Sequence, residues 1–177
     1  KEALDLFVNA PLDELCPKAN KVKEQLHGKS IFWVNNRQIN YTNVCVLHCK
    51  FCSFSKIKKD SVTAYDWDYN TIRNKAEEAV KGGARELHIV GGLHPDHQFD
   101  YYIDMLRKLR VKFPKANLKA FTAVEICHFA KISGQSPEHI MATLKEAGLD
   151  ALPGGGAEIL VQSVRDQICP GKEPGEE

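Results

Sequence analysis

Apolar positions along this chain change their period several times, and each change marks an element. In residues 1–27, Leu4, Leu6, Phe7, Leu12, Leu15, Val22 and Leu26 recur at helical spacing, and Gly28 stops the run. The stretch "SIFWVNNRQINYTNV" is rich in β-branched and aromatic residues and predicts one or two extended segments running into Cys45. Residues 53–68 are polar and basic and predict a long loop, of a length that is often functional. "NTIRNKAEEAVKGG" sets Ile72, Ala76, Ala79 and Val80 on one helical face, with Asn70 as N-cap and Gly82-Gly83 as the stop. "ELHIV" predicts a strand that runs straight into Gly91-Gly92. Residues 98–112 predict a helix with Tyr102, Met105, Leu106 and Leu109 inward. "LKAFTAV" predicts the next strand. "SPEHIMATLKEAG" carries a full set of helix signals: Ser136 as N-cap, Pro137 in the first turn and Gly148 as the stop. "LDALP" predicts a fourth strand, Gly154-Gly155-Gly156 follow it, and residues 157–168 predict a last helix.

Strands alternating with helices of about a dozen residues point to an α/β fold of parallel βαβ units. The expectation is a partial (β/α) barrel of about four units over residues 31–177, preceded by an N-terminal helical segment over residues 1–30. Four strands do not close a barrel, so the chain is expected to be the N-terminal part of a longer protein. In such folds, sites gather at the carboxyl ends of the strands. The chemically distinctive residues fall there: a cysteine loop after the first strand, "GGLHP" after the second, Glu125 after the third and "GGGAE" after the fourth.

Bulk composition narrows the class further. With 177 residues and a formal net charge of +1, the chain is long enough for a real core and has no charge excess suited to nucleic acid or a membrane surface. No apolar run approaches the ~20 residues of a membrane span. Six cysteines without an export signal suit a reducing cytosol better than a disulfide framework. Cys16, Cys127 and Cys169 are scattered and are expected to be small buried hydrophobes.

The remaining three cysteines stand close together in "NVCVLHCKFCSF". Cys45, Cys49 and Cys52 have the spacing C-x3-C-x2-C. Thiolates are soft ligands for iron–sulfur clusters, zinc or copper(I). Three of them on one loop can hold three irons of a four-iron cubane and leave the fourth iron open. The alternative is zinc, with His48 or a distant residue as fourth ligand. An electron-transfer cluster is a second alternative, and it requires Cys127 or Cys169 as the fourth thiolate.

With Phe51 before the last cysteine, after the first strand of a βα fold, this spacing resembles the radical S-adenosylmethionine superfamily. The resemblance implies a [4Fe–4S] cluster whose open iron is chelated by the amino and carboxylate groups of S-adenosylmethionine, and a 5′-deoxyadenosyl radical formed by one-electron cleavage. It implies that Gly91 and Gly92 meet the methionine amino group through their backbone, where a side chain would block the approach. Leu93 and His94 follow, where the superfamily commonly has an acidic residue. It further implies Glu158 on the ribose hydroxyls and Arg165 on the methionine carboxylate, while Phe51 is expected to pack in the core, to lie against the adenine, or both.

Within the superfamily, "INYTNVC", "CKFCSF", "ELHIVGGLHPDHQFDYY", "LKAFTAVEI" and "LKEAGLDALPGGGAEI" together resemble the aminofutalosine synthase group. That implies addition of the adenosyl radical to 3-[(1-carboxyvinyl)oxy]benzoate, giving 6-amino-6-deoxyfutalosine on a route to menaquinone. It also implies a low-potential donor such as flavodoxin or ferredoxin. The dehypoxanthine futalosine cyclases and the radical component of deazaflavin (FO) synthase are the sister alternatives.

Glu125 and His94 are the candidate catalytic residues. A carboxylate at the end of an apolar strand is costly to bury without a partner, and a histidine beside the glycine pair can move a proton or bind a substrate carboxylate. Tyr41 and Thr122 are weaker candidates. His88 is expected to be a satisfied core histidine or to line the barrel. His97 is expected to face solvent, His48 to be an exposed loop side chain, and Lys56, Lys58 and Lys59 to form a solvated face.

Overall fold

A computed structural model describes residues 2–47, 49–57, 61–156 and 158–172. His48, Lys58 and Lys59 lie outside the described residues. The chain divides into two compact units, one up to Val34 and one from Asn35 onward. The first holds helices α1 (Glu2–Asn9) and α2 (Leu12–His27), so the single helical run expected there is broken before Pro11, which caps α2. Gly28 ends α2, as the sequence signals, at φ 59° and ψ −136°, a backbone conformation open to glycine. Neither helix buries a residue, and Cys16, expected to be buried, is exposed.

The second unit is a parallel sheet with helices on one face. Its strands β1 (Asn36–Asn40), β2 (Glu86–Val90) and β3 (Asn117–Ala120) lie in that order. They alternate with α3 (Tyr69–Lys81), α4 (Phe99–Lys112), α5 (Ala123–Ser133), α6 (Pro137–Glu146) and α7 (Gln162–Ile168). The α/β, partial-barrel expectation therefore holds. The register shows how period-2 patterning sorts the faces. Ile39, Ile89 and Ala120 are aligned and buried, and so are Leu87 and Leu118, beneath helix residues such as Ile72, Leu106, Phe129 and Leu144. The aligned Gln38, His88 and Lys119 take the other face, where the buried carboxylate of Glu86 accepts from Lys119 Nζ at 3.2 Å.

Four expectations need correction. "LDALP" does not form a full strand. Only Ala151 bridges Lys119, in parallel, with Ala120 N–H donating to Ala151 O at 3.0 Å, so a fourth edge begins and stops there. The "LKAFTAV" strand ends at Ala120, because Phe121 turns to φ 62° and Thr122 caps a helix. Helix α3 starts earlier than expected: Asp68, not Asn70, is its N-cap and accepts from Thr71 N–H at 2.8 Å. In the segment expected to be helical over 157–168, the helix begins at Gln162.

Gly148 shows what local chemistry the fold demands. It stands at φ 110°, and a β-carbon there would come within 2.8 Å of Arg110 Cβ. The Arg110 guanidinium donates to Gly148 O at 2.8 Å and to Ala116 O at 2.9 Å and pairs with Asp150, so it ties α4 to the start of the fourth edge. Gly148→Ala is expected to lower stability by about 2 kcal/mol through backbone strain and displacement of this arginine, readable as a lower urea midpoint with an unchanged m value.

Candidate active site

The carboxyl ends of β1, β2 and β3 converge, and the strand-to-loop junctions there are pinned to one another. The Gly92 N–H donates to Thr42 O at 2.9 Å, and Val46 N–H donates to Leu93 O at 3.0 Å. The glycine pair is therefore bonded directly to the chain entering the cysteine loop. The approach leaves no room for side chains: a β-carbon on Gly92 would lie 2.2 Å from Val44 O, and one on Gly91 would lie 2.6 Å from the Tyr41 ring.

The cysteine loop is short and internally bonded. Cys45 is buried, and Cys49 and Cys52 are half-buried. Cys52 N–H donates to Cys49 O at 3.0 Å, and Leu47 N–H points at Cys45 Sγ at 3.4 Å. Burial pushes the Cys49 thiol up. The charge of Lys172 pulls it the other way, and the thiols of Cys169, Cys45 and Cys52 add to the rise. Support comes from far along the chain, since Lys50 N–H donates to Ile168 O at 2.7 Å. The long loop that follows is also organised. Asn43 Nδ2 donates to Thr63 O at 2.9 Å, Asn43 Oδ1 accepts from Tyr65 N–H at 2.8 Å, and Thr42 Oγ1 donates to Tyr65 O at 3.0 Å.

Glu125 is at the centre of these junctions and not on an open wall. It is the third residue of α5 and forms a capping box with Thr122: Thr122 N–H donates to Glu125 Oε2 at 2.7 Å, and Glu125 N–H donates to Thr122 Oγ1 at 3.4 Å. Its other oxygen accepts from Tyr41 O–H at 2.9 Å and Gly91 N–H at 3.2 Å. One carboxylate thus joins the ends of β1 and β2 to the start of α5. Burial raises its pKa to about 7, against the bonds from Thr122, Tyr41 and Gly91, which pull it down. Tyr41 is raised well above the usual phenol range by burial and by the Glu125 charge.

A raised carboxyl pKa means the folded chain holds a proton that the unfolded chain releases. The Glu125 contribution is fully present below the unfolded value of 4.5 and is lost as pH rises through about 7. The shift corresponds to a loss of about 3 kcal/mol. In Glu125→Gln, the slope of thermal midpoint against pH between 5 and 8 is expected to flatten.

His94 is buried beside the glycine pair and belongs to a cluster that the sequence did not reveal. The Asp66 carboxylate lies 3.7 Å from His94 Nε2 and 3.0 Å from His97 Nε2. The two imidazoles stack at 4.0 Å, and His97 stacks on Tyr101 at 3.9 Å, so His97 is packed and paired where solvent exposure was expected. The three ligand atoms lie within 4.8 Å of one another, a spacing suited to a small cation. The tautomer argues against one. Asp96 N–H donates to His94 Nδ1 at 3.2 Å, which leaves the ring proton on Nε2, directed at the carboxylate. The cluster is better described as two imidazoles sharing one anion.

Two of the remaining candidates, Phe51 and Glu158, meet at Lys172. Phe51 is 48% exposed, so it is not core, and Lys172 Nζ stands 5.2 Å from its ring centroid. Glu158 is exposed at φ 47° and pairs with Lys172 at 2.5 Å. Arg165 is buried, with Nη1 donating to Ile159 O at 2.9 Å. His88 is half-buried on the polar face of the sheet. Sequence reading missed Asp66 and Lys172, which look like ordinary loop charges. It also missed the role of Thr122, although T-x-x-E is a legible capping signature.

This arrangement, a half-buried three-thiol loop pressed against a glycine pair at the carboxyl ends of a parallel sheet, defines a class. A model of the radical SAM superfamily matches residues 39–174, and the chain belongs to that superfamily. It is 38% identical over 176 residues to the aminodeoxyfutalosine synthase of Thermus thermophilus, covering 99% of this chain and 47% of that one. It is 41% identical over 174 residues to the 5-amino-6-(D-ribitylamino)uracil–L-tyrosine 4-hydroxyphenyl transferase of Archaeoglobus fulgidus, covering 94% and 49%. The fold resembles that of HydG, a maturase of the [FeFe]-hydrogenase, with a TM-score of 0.68 at 18% identity, over 94% of this chain and 34% of that one. The chain spans about half the length of the curated relatives it matches.

Membership implies an enzyme with a [4Fe–4S] cluster and S-adenosylmethionine as cofactors. The residues present fit them. Three thiols lie on one loop, and an adjoining backbone at Gly91 and Gly92 carries no side chain. No described helix is long and apolar enough to cross a membrane.

Proposed function

We propose that this chain is the cluster-bearing part of an aminofutalosine synthase-like radical enzyme of the cytosol. The observation that carries the reading is the contact between the cysteine loop and the glycine pair, where Gly92 stands so close to Val44 O that only glycine fits. The 38% identity over nearly the whole chain supports the choice of group. When bound, the cofactors would supply one-electron cleavage of S-adenosylmethionine with release of methionine, and the adenosyl part would be joined to the enol-ether double bond of 3-[(1-carboxyvinyl)oxy]benzoate with rearrangement and loss of its enol carboxylate, giving 6-amino-6-deoxyfutalosine. Flavodoxin or ferredoxin is the proposed donor.

In this reading, Cys45, Cys49 and Cys52 hold three irons. The backbone of Gly91 and Gly92 receives the methionine amino group, and Arg165 faces the methionine carboxylate. Phe51 covers the adenine and Glu158 binds the ribose. His94, held by Asp66 and by the Asp96 N–H, is the candidate that moves a proton beside the glycine pair. Glu125 keeps Gly91 in place while holding or releasing a proton near neutrality.

A second reading, transfer of a tyrosine-derived 4-hydroxyphenyl group to 5-amino-6-(D-ribitylamino)uracil, is favoured by the 41% identity to the Archaeoglobus protein. One experiment orders both. The full-length protein is reconstituted anaerobically with iron and sulfide, and its reduced EPR spectrum is recorded before and after S-adenosylmethionine. A [4Fe–4S] signal that shifts on addition supports an open iron, and a cluster indifferent to the cofactor defeats both readings. Mass analysis of the product with each substrate then selects between them.

A further inference from the structure

Lys172 has an ammonium inside the fold, with its side chain 6% exposed. Burying such a charge costs several kcal/mol unless partners surround it. Its partners come from two separate segments. From the glycine-rich segment, the Gly156 carbonyl accepts from Nζ at 3.2 Å and the Glu158 carboxylate at 2.5 Å. From the cysteine loop, the Phe51 ring lies beneath it at 5.2 Å. Its own backbone is equally committed. Lys172 N–H donates to Cys169 O at 3.2 Å in the turn that ends α7, and Ile168 O of the same turn receives Lys50 N–H from the cysteine loop. A carboxylate that is one-third exposed is a thin counter-charge for an ammonium this buried. The Phe51 contact and the Lys50–Ile168 bond set this ammonium against the cysteine loop.

We infer that Lys172 is a positioning residue of the cofactor site: its ammonium joins Phe51, Gly156 and Glu158 into one wall and places a fixed positive charge beside the cluster loop. The inference rests on the cluster and S-adenosylmethionine occupying this loop, and it goes further by giving a role to a residue outside every motif singled out above. A fixed cation near a cluster stabilises the more negative, reduced form and so raises the reduction potential. Glu158 acts in the opposite sense. The wall also requires that Phe51 and Glu158 lose their common anchor together when Lys172 is removed.

The test uses the full-length protein, reconstituted anaerobically, with three variants: Lys172→Met, Lys172→Arg and Glu158→Gln. Iron content, the cluster potential from EPR-monitored redox titration without S-adenosylmethionine, and S-adenosylmethionine affinity are read for each. Lys172→Met is expected to retain iron, shift the potential to more negative values and weaken S-adenosylmethionine binding about tenfold, the loss of one charge-assisted contact. Lys172→Arg is expected to recover most of both. Glu158→Gln is expected to shift the potential in the positive direction, which a merely structural role for the pair would not produce. Unchanged potentials in Lys172→Met and Glu158→Gln overturn the inference. If Lys172→Met does not fold, a potential unmoved by Glu158→Gln overturns it alone. A wild-type cluster that ignores S-adenosylmethionine signals failure of the underlying functional reading instead, since the two potentials remain measurable.

Discussion

Alanine in place of Cys49 is expected to leave the reconstituted protein colourless, with iron near background and turnover below detection. The loop supplies three thiols within eight residues and no fourth of its own, so each removal leaves only two ligands on it. Two thiolates cannot hold a cubane that takes three of its iron ligands from this loop. The same measurement on Cys169→Ala separates catalysis from electron carriage. Cys169 is buried, and its thiol acts on Cys49. In the radical reading, Cys169→Ala keeps its cluster and its response to S-adenosylmethionine. Loss of iron from Cys169→Ala would mark a four-thiolate electron carrier.

Glu125→Ala is expected to give the largest loss of stability of any single substitution considered. Three donors converge on this carboxylate: Tyr41 O–H, Gly91 N–H and Thr122 N–H. Truncation strands all of them in a buried place and empties the volume of the side chain. The expected cost is about 3–5 kcal/mol at pH 7, seen as a lower denaturant midpoint. Gly91 would be freed at the same time, so the affinity for S-adenosylmethionine is expected to fall with stability. A variant with wild-type stability would remove Glu125 from the role of junction pin. Glu125→Gln, which keeps the shape and most bonds, is expected to cost far less.

Much of this fold was legible because its signals are local. The α6 helix announces both ends in "SPEHIMATLKEAG", and Ser136 and Gly148 serve as that stretch requires. Leu87 and Ile89 alternate with His88 as a strand with one buried face should. The misreadings occurred where local signals compete. "LKAFTAV" is apolar enough for a longer strand, but Thr122 and Glu125 cap a helix that begins inside it, and a short capping box outweighs four more strand residues. The fourth strand was lost for a related reason: an edge without a neighbour gains few ladder bonds, and only Ala151 bridges. Of the candidate site, the cysteines and glycines were visible because spacing and residue type are distinctive by themselves. Asp66, Lys172 and the true setting of Glu125 were not, because each depends on partners brought near by the fold and not by the sequence.

The bond from Lys50 to Ile168 has a consequence for how this protein is made. The cysteines leave the ribosome early, whereas the turn that steadies their loop is translated over a hundred residues later. At typical elongation speeds that interval lasts roughly ten seconds. During it the three thiols are exposed on an unfinished chain, open to oxidation and to stray metal ions. Iron and sulfide should therefore enter after residue 172 has emerged, on a chain in which the turn at the end of α7 has already closed on the cysteine loop. Slowing translation between the two segments would then lower the fraction of protein that carries a cluster, with no change in the sequence at all.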